Sequence, residues 1–157
     1  MGQTTFSGPV KSDAGFITGV DSLTSAVTAT TLTVDSSYNG KTILISRAAG
    51  TAITLPAALG TQAKYRIQLS TSVTSNSTTI KVANSTDIMQ GQAIVTAATP
   101  GAFYTTATSD TVTMNGSTQG GLAGSYVELT DIAAGDWLVS AILVGSGSVV
   151  TPFSATV

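Results

Sequence analysis

Three short stretches combine residue types that do chemistry in other proteins. Gly40-Lys41-Thr42 has the residues that close a phosphate-binding loop, in which backbone N–H groups cradle phosphate oxygens and the lysine neutralises them. That loop requires a glycine five positions before Gly40, and position 35 is Asp35. The phrase therefore reads as a hairpin turn, with Asn39-Gly40 accepting the positive φ such turns demand. Asp131 and Asp136 bracket Ala133-Ala134-Gly135 and place two carboxylates around one turn. Aspartates at turn edges accept hydrogen bonds from nearby backbone N–H groups, and that use is expected ahead of a calcium site. The other acids, Asp13, Asp21, Asp35, Asp87, Asp110 and Glu128, are too dispersed for an EF-hand-like loop. Asn76-Ser77-Thr78, Asn84-Ser85-Thr86 and Asn115-Gly116-Ser117 match the glycosylation pattern, which arises freely by chance in a chain so rich in Ser and Thr.

The chain contains no histidine and no cysteine. A serine nucleophile would lack its usual base, and the commonest transition-metal ligands are missing. Lys11, Lys41, Lys64 and Lys81 fall on polar faces or in loops, not in the apolar pockets where a lysine serves as a base. No catalytic residue, cofactor site or metal site is expected. The start, Met1-Gly2-Gln3-Thr4-Thr5-Phe6, has neither the basic residues nor the apolar run of a secretory signal. The protein is expected to be made in a cytoplasm and not secreted.

Elements that position side chains must be inferred from an unusual composition. Charged residues make up 9% of the 157 and apolar residues 42%. Thr and Ser replace the missing charges, and Thr, β-branched, suits a pleated sheet better than a helix. A net charge of −2 with six basic residues offers no field for a phosphate backbone, so no nucleic-acid partner is expected. No run approaches the roughly 20 apolar residues that span a bilayer, so no membrane partner is expected either.

The apolar pattern divides the chain into an extended N-terminal arm, residues 1–29, and a single β domain, residues 30–157. In the arm, Phe6, Pro9, Val10, Phe16 and Ile17 are too sparse and irregular for a helix. Ordering such a segment alone costs about 1–2 kcal/mol per residue, a cost that docking on a neighbour offsets. Beyond it, alternation of period two marks strands around Leu32-Val34, Ile43-Ile45, Ile53-Leu55, Tyr65-Ile67-Leu69 and Ile80-Val82. Further strands follow at 93–97, 111–115, 126–132 and 137–144, with a hairpin at Ala133 to Asp136. Trp137 to Val144 is apolar on both faces, which predicts a central strand covered on both sides, the second cover being another layer or a subunit partner. The tail, with Val149, Val150, Pro152 and Phe153, reads as a short adhesive strand after a Gly-Ser hinge. The fold class expected is all-β, an antiparallel sandwich or jelly-roll-like barrel.

Three phrases carry a family likeness: Thr4-Thr5-Phe6-Ser7-Gly8-Pro9-Val10-Lys11-Ser12-Asp13-Ala14-Gly15-Phe16, the block from Tyr38-Asn39-Gly40-Lys41-Thr42 through Ala52-Ile53-Thr54-Leu55-Pro56, and Asp131-Ile132-Ala133-Ala134-Gly135-Asp136-Trp137. Over nearly its whole length the chain resembles small structural proteins of tailed bacteriophages, and among them head decoration, or cement, proteins. The resemblance implies a trimer on the outer capsid surface of the virion, contacting the major capsid protein, with arms that join neighbouring decoration subunits. It brings no catalytic residue. The residues expected at protein interfaces are Phe6, Pro9, Val10, Phe16, Ile17, Trp137, Val150 and Phe153. The central phrase also occurs in tail fibres, so a second reading is a tail- or fibre-associated protein that recognises host-surface carbohydrate.

Overall fold

A computed structural model describes residues 26–157. Phe6, Pro9, Val10, Phe16 and Ile17 lie outside these residues. The last part of the expected arm lies inside them, and there Val27 already pairs with Ile45.

Among the described residues eleven strands form two sheets: β1 Thr31–Thr33, β2 Thr42–Ile45, β3 Ala52–Thr54, β4 Lys64–Leu69, β5 Thr78–Lys81, β6 Ile88–Thr96, β7 Gly101–Tyr104, β8 Thr111–Met114, β9 Tyr126–Ala133, β10 Asp136–Val144 and β11 Phe153–Ser154. One sheet has the order β2-β4-β9-β10-β6-β7 and the other β1-β3-β5-β8-β11. The protein is an all-β sandwich. Its pairing is mixed where antiparallel pairing was expected: β1 with β3, β3 with β5, β2 with β4 and β6 with β10 run parallel. The cause is the chain's path. From β1 to β6 each strand lies in the opposite sheet from the one before it, so β1, β3 and β5, and likewise β2 and β4, are each one full circuit apart and point the same way, whereas β6 and β10 are joined by a longer path through β7, β8 and β9.

Local turn signals were sound as reversals but misleading about partners. Asn39-Gly40 does not close a hairpin. Asp35 caps a single 3-10 turn, Ser36–Tyr38, by accepting from the Ser37 N–H, and Gly40 at φ +75° then delivers the chain from β1 in one sheet to β2 in the other. The hairpin expected at Ala133 to Asp136 is present, joining antiparallel β9 and β10 with an irregularity between Asp136 and Trp137. The strand β7 had no sequence counterpart, because consecutive Ala102, Phe103 and Tyr104 show no alternation of apolar and polar residues.

The core lies between the sheets. Ile43, Ile67, Leu129, Trp137 and Leu143 from the larger sheet meet Ile53, Ile80, Val112 and Met114 from the smaller, all at most 1% exposed. Close packing reaches the backbone at Gly91, where a Cβ would stand 1.9 Å from the Val139 carbonyl oxygen.

Candidate functional site

Alternation along each strand divides the larger sheet into a buried inner face and an outer face that no other layer of the described residues covers. Register places the outward side chains in rows. One row runs Leu44, Gln68, Tyr126, Ile142, Ile94 and Ala102 across all six strands. The next runs Thr42, Arg66, Glu128, Ser140, Gln92 and Tyr104. The face is chemically split. On β4 and β9, Arg66 donates to Glu128 Oε1 at 2.6 Å and lies over the Tyr126 ring at 3.9 Å. Beside them is a groove of about 360 Å³ whose walls include Lys41, Lys64, Arg66 and Glu128. On β10, β6 and β7 the outward side chains are uncharged over most of the face, and apolar Ile94, Leu138 and Ile142 alternate with Gln90, Gln92 and Ser140. Ile94, Leu138 and Ile142 are 45%, 46% and 40% exposed and Tyr104 is 79% exposed.

The smaller sheet presents a different exterior. Its outward rows are Thr31, Ala52, Thr79, Thr113 and Thr33, Thr54, Lys81, Thr111, Ser154, with Thr111 itself buried and bonded to Asp110 and Thr156. Threonine methyls and hydroxyls cover that face without leaving a large apolar group exposed.

Buried carboxylates tie loops to these sheets. Asp131, 2% exposed, accepts hydrogen bonds from the N–H groups of Gly60 at 2.7 Å and Thr61 at 2.8 Å, from Thr61 Oγ1 at 2.6 Å and from the Leu59 N–H. Burial alone would raise its pKa, but these donors outweigh it and hold the group below the usual carboxylate range. Asp110 does the same for the C-terminus. It accepts from the N–H groups of Thr156 and Val157 and from Thr111 Oγ1, and its pKa is likewise lowered although burial opposes the shift. The turn-edge reading of Asp131 was right about backbone donors but placed them next door; they belong to the loop between β3 and β4, some 70 residues earlier. Asp136 receives Gln90 Nε2 at 2.9 Å.

Trp137 corrects an expectation. It is 0% exposed and packs against Tyr65 with ring centroids 5.8 Å apart, so within this chain it is core and has no surface to give a partner. Its Nε1–H has no hydrogen-bond partner among the described residues. Phe153, 7% exposed, is also core, whereas Val150 is 49% exposed. Of the two covers expected for the second face of β10, a further layer is not found among the described residues, which leaves that face open to a subunit partner. The residues that face outward, Leu138 and Ile142, are the alternates of Trp137, Val139, Ala141 and Leu143. Period two therefore contained the signal, and the sequence lacked only the knowledge of which alternate set faced the core.

No family model matches this chain, and no curated protein and no solved structure matches it. The geometry and the sequence resemblance are what the functional reading rests on.

Proposed function

We propose that this chain is a structural virion protein, a head decoration (cement) protein of a tailed bacteriophage that binds the outer capsid surface as a trimer and stabilises the shell against the pressure of packaged DNA. The observation that carries the reading is the exposed apolar band of Ile94, Leu138, Ile142 and Tyr104 on one sheet face. Burying a large apolar side chain contributes roughly 1.5–3 kcal/mol, so four such groups exposed on one sheet face fit protein–protein contact. The sequence likeness to decoration proteins directs that contact to the capsid. The low charge fits as well, since copies of a chain with 9% charged residues can pack closely without strong mutual repulsion.

The role is mechanical and needs no catalytic residue. A trimer gains from linkage, because once one subunit is bound the remaining contacts form at high effective concentration. The test mixes the purified full chain with phage heads that lack it, before and after expansion, and with host cells. Saturable binding to heads, with greater resistance of the shell to rupture on heating, is the expected result. Binding to host cells with none to heads would overturn the reading in favour of carbohydrate recognition by a tail component.

A further inference from the structure

Among the described residues five side chains are cationic, and three of them, Lys41, Lys64 and Arg66, line the groove on the β4–β9 half of the outer face. Glu128 is the one acid in that lining, and its Oε1 is taken by Arg66. Stacking on the Tyr126 ring holds the Arg66 guanidinium as well, so its place does not depend on Glu128 alone. Neither lysine ammonium has a hydrogen-bond or ion-pair partner among the described residues. Asp35, outside the groove, accepts from the Ser37 N–H; its bonds to Ser37 are the main cause of its lowered pKa and the Lys41 charge is the least. A chain of net charge −2 thus gathers positive charge at one place.

Register fixes where that charge stands relative to the apolar band. Lys64, Thr130, Leu138 and Gln90 form one outward row, and Arg66, Glu128, Ser140, Gln92 and Tyr104 the next. Leu138 is two strand spacings from Lys64, about 10 Å, and Tyr104 is four from Arg66, about 19 Å. Burial of apolar surface is non-directional, so the band alone leaves a partner free to rotate. Charges paired across an interface fix register and steer the approach. The side chains with which a protein surface answers two unpaired ammonium groups and a guanidinium are aspartate and glutamate.

From these observations we infer that the groove of Lys41, Lys64 and Arg66 receives acidic side chains of the same protein surface on which the apolar band docks, about 10 Å from the apolar residues of that surface, and so sets the orientation in which the subunit lands. The inference rests on the proposed function, in which that surface is the capsid, and it names the charge the capsid site must bear.

The test measures binding of the full chain to phage heads at ~20 mM and ~300 mM salt. Lys41→Gln with Lys64→Gln is expected to weaken binding about tenfold or more at the lower salt and less than about twofold at the higher. Lys81→Gln, on the exterior of the other sheet, removes the same charge as Lys64→Gln and is expected to leave the affinity unchanged; equal losses from the two would overturn the inference, since net charge alone would then account for them. Glu128→Gln removes the acid of the groove and is expected to tighten binding about twofold or more at low salt, a change that misfolding does not produce. Heads bound equally by all variants, or with an affinity indifferent to salt, would overturn the inference and leave the decoration reading standing. No binding of the unaltered chain to heads would overturn that reading and the inference with it.

Discussion

The two sheets share one core yet turn opposite characters outward. The five-stranded sheet is built of strands of two to four residues and is closed outside by Thr31, Thr33, Thr54, Thr79 and Thr113. The six-stranded sheet contains the eight- and nine-residue strands β6, β9 and β10, and exposes Ile94, Leu138, Ile142 and Tyr104. Threonine satisfies a sheet surface by itself, with a methyl for packing and a hydroxyl for water. Isoleucine and leucine in the same outward positions leave apolar area in contact with water, which a partner removes. The difference teaches that one sheet completes the fold and the other both completes the fold and offers a surface.

The strongest way to break this contrast is to weaken each sheet from within. Trp137→Ala, in the larger sheet, is expected to cost about 4–5 kcal/mol in denaturant unfolding, and Phe153→Ala, in the two-residue edge strand of the smaller, about 3 kcal/mol. Equal losses would show that the short-stranded sheet bears as much of the stability. The two carboxylate staples sharpen the contrast next. Asp131→Asn is expected to cost about 2 kcal/mol, since an amide replaces a charged acceptor of several donors, and Asp110→Asn about 1 kcal/mol, because its donors include the chain's terminal N–H groups.

Their pH dependence has a definite sign. Both carboxyls are held below their usual range in the folded chain, so the unfolded chain binds more protons near and below a reference value of about 3.9. The stabilisation is complete above about pH 4 and is lost as the pH falls through the lowered folded values. Unfolding midpoints should therefore hold between pH 7 and 5 and fall below 4, with a shallower fall in Asp131→Asn; an identical fall would remove Asp131 from the account. The smallest effect on stability, within about 0.5 kcal/mol, is expected from exchanging the exteriors. Ile94→Thr with Ile142→Thr should weaken binding to phage heads, read by co-sedimentation, while Thr54→Ile with Thr79→Ile should create new association through the other face, read by sedimentation of the protein alone.

Much of this was legible beforehand. Alternation at Tyr65-Ile67-Leu69 and at Ile43-Ile45 marked strands that the structure contains. Ala133 to Asp136 marked a hairpin, and there the two apolar runs it joins do pair as β9 and β10. The outward set Leu138 and Ile142 was visible as apolar alternates, but a strand apolar on both sides reads equally as doubly buried. The donors of Asp131 were not legible, since nothing near it in sequence points to Leu59, Gly60 and Thr61.

By itself the sequence determined an all-β chain, through threonine-rich alternation of period two, and it removed histidine and cysteine from any mechanism. The tertiary structure alone decided that β1 to β6 pass from sheet to sheet, that three pairings are therefore parallel, that β6 runs parallel to β10, and which face of β10 meets the core. The physical reason is that a turn such as Asn39-Gly40 specifies a change of direction over a few residues. Whether the chain then returns beside the strand it left or crosses the roughly 10 Å to the opposite sheet is settled by which inner faces pack together.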